Sequence, residues 1–99
     1  GTEDCPPWIP QGFSPNGDLS NDYFEIKGLL DVYPNHEIRI YTRNGNLVFI
    51  GNNETGFWDG TANQGILYEG AVPTGLYFYS LNLKHPDYKT FTGWVYLNK

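Results

Sequence analysis

Short runs of alternating apolar and polar residues recur along the chain, and glycine, proline, asparagine or aspartate bounds each run. Residues 23–27, 36–42, 76–83 and 89–97 follow this pattern, which is typical of strands with one buried face. Trp8 and Ile9 lie between prolines, which suits a short edge strand. No long run has the period of an amphipathic helix. The pattern predicts an all-β protein: a single antiparallel immunoglobulin-like sandwich of about six or seven strands.

A hairpin around residues 43–46 is the clearest local prediction. Asn44-Gly45 is a strong turn signal because both residue types tolerate positive φ. The strands on either side are residues 36–42 and 47–50. Side-chain alternation places Ile38 and Ile40 on the core face of the first strand, and it places Tyr77 with Tyr79 on one face of the strand at 76–83.

Residues 51–75 form the longest irregular stretch, with one short apolar run at 66–68 as a candidate strand. A long loop in a compact domain needs a buried anchor, and Phe57-Trp58 is the natural one. Asp59-Gly60 then makes the turn. In the alternative interpretation, Trp58 stacks on a sugar ring, as in carbohydrate-binding modules.

Composition and charge narrow the function classes. Ninety-nine residues make one domain, and 12 Gly and 7 Pro fit a protein of short strands. The net charge of −5 argues against a nucleic-acid partner and an anionic membrane surface. No apolar run approaches the roughly 20 residues that span a bilayer, so membrane insertion is not predicted. The single cysteine, Cys5, excludes an internal disulfide and lies in residues 1–7, which we interpret as a linker or expression remnant; the domain is residues 8–99. Without an initial Met, the chain is expected to be a piece of a longer protein.

A loop rich in side-chain oxygens precedes the strand at 23–27. Asn16, Asp18, Ser20 and Asp22 occupy alternate positions, and a calcium loop needs several such oxygens on a turning backbone. The loop lacks the glycine and terminal glutamate of an EF-hand. We therefore favour Asx turns that hydrogen-bond the backbone, with no cofactor, and keep calcium as the alternative.

Catalytic motifs are missing from the sequence. His36 and His85 occur in turn contexts and share no pattern with a serine or cysteine nucleophile. Neither a zinc-binding histidine pair nor a phosphate-binding loop is present. The sequence therefore predicts a protein that is not an enzyme.

Five motifs occur in an order that resembles the gliding motility-associated C-terminal domain. They are FSPNGD with NDYF at 13–24, IRIY with Arg43 and GNLV at 38–48, WDG at 58–60, PTGLYFY at 73–79, and TGWVY at 92–96. The resemblance covers nearly the whole chain from about residue 9. Three features depart from the family pattern: Leu19 replaces a second glycine, Asn44 replaces a tryptophan, and the connector at 62–72 is longer.

This resemblance implies a type B sorting signal of the type IX secretion system of Bacteroidetes-type bacteria. Such a domain is attached to the C-terminus of a cargo, in some cases an adhesin used in gliding. It is recognised in the folded state by outer-membrane components of the machinery, and the cargo passes through the periplasm to the cell surface or medium. The motifs supply the predicted recognition residues: Asn16, Gly17, Asp18, Asn21, Asp22, Trp58, Asp59, Gly60, Gly93 and Trp94. Two rival hypotheses remain open, namely a carbohydrate-binding or adhesive module using exposed aromatics, and a passive immunoglobulin-like spacer.

Overall fold

The computed structural model describes residues 8–14, 23–29, 33–65 and 70–98. Within these ranges every regular element is a strand, so no helix long and apolar enough to cross a membrane is found there. The strands are β1 (Gly12–Phe13), β2 (Glu37–Thr42), β3 (Leu47–Gly51), β4 (Thr61–Ala62), β5 (Gly70–Ala71), β6 (Gly75–Asn82) and β7 (Phe91–Leu97). The prediction of an all-β fold is confirmed.

Five of the strands form one mixed sheet in the order β1-β7-β6-β2-β3, and β4 pairs with β5 in a small second sheet. All pairs in the large sheet are antiparallel except β1 with β7, which is parallel. The first described segment bonds to both parts of the fold. Trp8 pairs with Lys27 in the opposite layer, Pro10 cannot donate to a ladder, and Gly12 then reaches Tyr96 of β7.

The predicted hairpin is confirmed, but its turn is longer than a two-residue loop. Gly45 alone in the turn has positive φ, at 93°. The Thr42 N–H donates to the carbonyl of Asn46 at 2.8 Å, and the Thr42 hydroxyl accepts from the Asn46 N–H at 3.1 Å. A register shift follows, with Ile40 opposite Phe49 and Tyr41 opposite Leu47. This bulge explains why two successive β3 residues, Val48 and Phe49, are both buried.

The segment at 23–29 keeps the predicted alternation without forming a continuous ladder. Phe24 and Ile26 are buried, whereas Tyr23, Glu25 and Lys27 are exposed. Its backbone bonds are isolated: the Phe24 N–H donates to Trp58 at 2.8 Å, and Lys27 exchanges two bonds with Trp8. The second layer is therefore built of bridged segments.

The core lies between this layer and one face of the large sheet. Ile38 and Ile40 are 4% and 0% exposed, and Tyr77 and Leu81 are buried beside them, so the predicted faces of β2 and β6 are confirmed. The remaining buried apolar residues are Phe13, Phe24, Ile26, Leu29, Tyr33, Val48, Phe49, Trp58, Val72, Leu83, Val95 and Leu97. The candidate strand at 66–68 lies outside the described residues. The opposite face of the large sheet is turned to solvent.

Candidate recognition surface

The oxygen-rich loop lies outside the described residues. Its predicted recognition positions are Asn16, Gly17, Asp18, Asn21 and Asp22, and its alternative calcium ligands are Asn16, Asp18, Ser20 and Asp22. Both roles stay predictions. Among the residues that are described, no three His, Cys, Asp or Glu side chains form a group that could hold a metal ion.

Trp58 is the centre of the core. Its side chain is 1% exposed, and its ring lies 5.3 Å from the rings of Phe13 and Tyr77. The indole N–H donates to the carbonyl of Thr61 at 2.9 Å, which satisfies the one polar atom of the ring. The interpretation of Trp58 as the anchor of the long loop is confirmed. Since the ring is enclosed, a sugar has no face of Trp58 on which to stack.

Asp59 and Gly60 form the turn that follows this anchor. The Asp59 carboxylate accepts from the hydroxyl of Thr61 at 2.6 Å and from its N–H at 3.2 Å. Gly60 has φ of 90°, and its carbonyl accepts from the Val72 N–H at 2.8 Å. Of the predicted WDG recognition residues, only Asp59 is exposed.

Gly93 and Trp94 are neighbours on β7, yet they lie on opposite faces of the sheet. Gly93 is opposite Tyr79 of β6, and a Cβ on Gly93 would lie 2.7 Å from the Tyr79 hydroxyl and 3.0 Å from its ring. Gly93 is therefore required where the Tyr79 side chain crosses β7. Burial raises the pKa of the Tyr79 phenol. Trp94 points the other way and is 49% exposed.

Trp94 belongs to a row of three rings across the solvent face of the sheet. The register places Tyr41 of β2 opposite Phe78 of β6, and Phe78 opposite Trp94 of β7. The ring centroids are 6.5 Å apart in the first pair and 5.2 Å apart in the second. We call Tyr41, Phe78 and Trp94 the outer aromatic row. Leu76 and Tyr96, opposite each other in the register, extend its apolar surface and are 39% and 48% exposed.

A shallow groove follows the outer aromatic row. Besides the three rings, its lining consists of Thr42, Arg43, Gly45, Ser80 and Thr92. Arg43 is the only ionised side chain in this lining, and it makes no ion pair within the described part of the chain. As far as the described residues show, the groove is therefore aromatic and carries one cation without an ion-pair partner.

Three charged side chains lie beside the groove, namely Glu37 and Arg39 on β2 and Lys84 just after the end of β6. Arg39 donates to the Glu37 carboxylate at 2.7 Å, and the Lys84 ammonium lies 3.5 Å from the other Glu37 oxygen. The hydrogen bond from Arg39 is the main reason that the pKa of Glu37 is lowered, and the charge of Lys84 adds to it. Because these groups are largely exposed, the pairs contribute little to stability. Two cations against one carboxylate leave this region positive.

The two histidines serve the fold. His36 is buried, and its Nδ1 lies 2.7 Å from the carbonyl of Tyr33, so this nitrogen carries the proton and donates. His85 accepts from the Asp87 N–H at 3.1 Å through Nδ1, and its ring contacts Tyr33 and Tyr88. Neither imidazole faces a nucleophilic side chain in these contacts.

A comparison with models of protein families shows the family to which the chain belongs. The model of the CHU_C type IX secretion signal domain matches residues 8–97. The chain belongs to this family. The suspected sorting-domain resemblance is thereby confirmed, and the matched range coincides with the region from Trp8 to the end of β7. No curated protein and no solved structure matches the chain.

Sequence reasoning marks Trp94 as a motif residue and Tyr41, Phe78 and Tyr96 as surplus aromatics on a solvent face, with cross-strand pairing as the favoured explanation. The register pairs Tyr41 with Phe78 and Phe78 with Trp94. Arg43 and Thr92 belong to the quoted motifs, but nothing in the sequence links either residue to these aromatics. They become part of one surface only through the strand register, which pairs β2 with β6 residues 35 to 45 positions away and β6 with β7 residues 10 to 22 positions away.

Proposed function

We propose that this domain is the C-terminal signal that directs an N-terminally attached cargo through the type IX secretion system to the cell surface or medium. The observation that carries the proposal is the family match, which spans residues 8–97 of 99 and leaves little of the chain for another role. The partners are outer-membrane components of the secretion machinery. The signal acts by being recognised, with no reaction of its own.

A signal that is read in the folded state needs a fixed surface, because loose side chains lose entropy when they bind. Three central strands of the five-stranded sheet provide such a surface, since each of them has neighbours on both sides over part of its length. The core anchor Trp58 joins the second layer to this sheet. This construction supports recognition of a rigid domain.

The absence of catalysis is supported by what the polar side chains do. Asp59 holds the turn after Trp58, Glu37 is paired with Arg39, and His36 is buried against a backbone carbonyl. An acid–base or nucleophilic site needs two such groups in mutual contact beside a substrate cleft. The described residues place these three groups in structural bonds instead.

The test is an export assay in a bacterium with a working type IX system. A fluorescent protein carrying an inner-membrane export signal is fused to the N-terminus of this chain. We expect fluorescence at the cell surface and in the medium for the fusion, and retention in the periplasm for the fluorescent protein alone. Equal retention of both proteins, with the fused domain folded, would contradict the proposal.

A carbohydrate-binding or adhesive module remains the second candidate, and the exposed aromatics favour it. Its strongest sequence feature, Trp58, is enclosed in the core. The exposed tryptophans among the described residues are Trp94 in the outer aromatic row and Trp8 beside Lys27, so this function would have to use one of these two rings. Binding of the isolated chain to a glycan array would distinguish the two functions.

A further inference from the structure

We infer that the secretion machinery binds this domain through the outer aromatic row, with a protein surface that is apolar and carries carboxylates. The inference rests on the proposed function and adds which face of the domain is read and by what chemistry. The occupant is an outer-membrane protein of the machinery.

The side chains of this face are those that carry binding energy in protein interfaces. Truncation of Trp, Tyr and Arg most often produces large losses of affinity. Here Tyr41, Trp94 and Arg43 line one groove with Phe78 between them. Trp94 and Tyr96 are about half exposed in the free domain, so a partner can still cover a large apolar area.

The position of the row makes it rigid. Tyr41, Phe78 and Trp94 come from β2, β6 and β7, which are adjacent in the sheet. Strand pairing fixes the backbone of these residues, and contacts between neighbouring rings restrict their side chains, so less conformational freedom is lost when a partner binds. A fixed row of rings is what a receptor for a folded signal requires.

Charge identifies the chemistry of the partner. The chain carries a net charge of −5, yet the described residues that line the groove include Arg43 and no carboxylate. The adjoining group adds Arg39 and Lys84 against Glu37. This face is thus positive on an acidic domain. A partner with carboxylates around an apolar centre complements it and is favoured over a basic one.

The ring geometry favours a protein over a saccharide. Phe78 and Trp94 meet edge to face at 72°, and Tyr41 and Phe78 are tilted by 49°. Sugar rings stack on a flat aromatic face, and these three rings do not form a common plane. Protruding apolar side chains of a protein fit such an uneven row.

The chain provides a matched control on the other layer of the sandwich. Trp8 is 60% exposed, and the Lys27 ammonium lies 5.9 Å from the centre of its ring. This pair is also an exposed tryptophan with a nearby cation, but it lies in the layer opposite the outer aromatic row. W8A/K27E therefore makes the same chemical change as W94A/R43E at a different place.

The experiment compares the export of three fluorescent fusions in a type IX host: wild type, W94A/R43E and W8A/K27E. Circular dichroism and thermal melting of the purified chains establish that each variant folds. We expect W94A/R43E to lower extracellular cargo roughly tenfold or more, as for truncation of an interface hot spot, with folded cargo in the periplasm. W8A/K27E should be exported like the wild type.

Four results would overturn parts of this picture. Retention of the folded wild-type fusion overturns the proposed function itself. Normal export of the wild type and of folded W94A/R43E overturns only the assignment of this face. Loss of export in both double variants also overturns it, because the effect is then not specific to the row. Normal export of W94A/R43E with loss of polysaccharide binding by the purified variant would assign the row to a saccharide.

A single substitution decides the question should W94A/R43E fail to fold. Thr92 lines the groove and is exposed, so T92E adds a carboxylate there without removing core packing. Repulsion from an acidic partner should reduce export of this folded variant. Export of T92E at the wild-type level would contradict the inference.

Discussion

Tyr79 on β6 and Gly93 on β7 form a pair in which the glycine leaves room for the phenol. The Tyr79 side chain crosses β7 at the only kind of residue that leaves room for it, since any Cβ at position 93 would contact the phenol. Burial of the phenol raises its pKa because the charged form loses solvation. A glycine that the sequence marks as part of a recognition motif thus has a packing role.

This raised pKa makes stability depend on alkaline pH. The folded state keeps the Tyr79 proton at a pH where the unfolded chain releases it, so the stabilisation is present below the unfolded pKa of about 10 and is lost as pH rises through the folded value. We expect the Tm of the wild type to fall more steeply above about pH 10 than that of Tyr79→Phe. Melting curves from neutral to alkaline pH test this. Parallel curves for the two proteins would mean that Tyr79 titrates alike in both states.

Ile40 provides the residue-scale test of the core. It is completely buried at the centre of β2, between Phe49 of β3 and Tyr79 of β6 in the register. Ile40→Ala removes apolar contacts and leaves a cavity, so we expect a loss of about 2–5 kcal/mol in the free energy of unfolding. Denaturant unfolding measures the loss. Leu76→Ala on the exposed face is the control and should change stability much less; equal losses would place Ile40 outside the core.

At the scale of elements, the side chain of Asn63 covers part of β3, which is the edge strand of the large sheet. The Asn63 amide donates to the Ile50 carbonyl at 2.9 Å and accepts from the Ile50 N–H at 2.9 Å. The Asn63 backbone N–H also donates to Val48 at 2.8 Å. Asn63 thus satisfies β3 as a strand neighbour would, and it blocks pairing with another chain.

Asn63→Ala should therefore have two effects. Two hydrogen bonds are lost, each contributing about 0.5–1.5 kcal/mol to stability, and the Ile50 backbone becomes available to other molecules. We expect a lower Tm together with concentration-dependent self-association, measured by analytical ultracentrifugation. Asn46→Ala, in the turn of the same hairpin, is the control. A variant that stays monomeric at high concentration would show that the edge is protected in another way.

The elements also show which parts of the fold a sequence predicts. The strands β2, β3, β6 and β7 have five to eight residues, enough to display alternation, and they were predicted. A strand of two residues, such as β1, is too short to show an alternation of apolar and polar residues. The parallel pairing of β1 with β7 also joins residues that are far apart in the sequence. The outer aromatic row could be predicted only in part, because its ring pairs depend on the register between strands that are distant in the sequence. Alternation gives the face of Trp94, whereas only the register shows that Phe78 and Tyr41 lie beside it.

At the scale of the whole molecule, the two faces of the large sheet have different roles. One face is packed against Trp58 and the second layer, which supplies stability. The other face carries the outer aromatic row and the positive groups around it, which the fold does not need for its core. A domain of this kind can change its exposed face without losing its fold. The recognition residues of such a family are therefore expected on the sheet face and in loops, outside the core.

The last prediction is that the thermal stability of the whole domain does not depend on a metal ion. The buried residues in the described part of the chain form an apolar cluster, and the Asx turns predicted for residues 15–22 would need no ion. We expect the Tm of the chain to be the same in EDTA and in millimolar calcium. D18N/D22N, which removes two carboxylates but keeps side chains able to form Asx turns, should melt like the wild type in both buffers. Should calcium raise the Tm of the wild type and not that of D18N/D22N, Asp18 and Asp22 would be ligands. The loop would then be a calcium site that stabilises the fold.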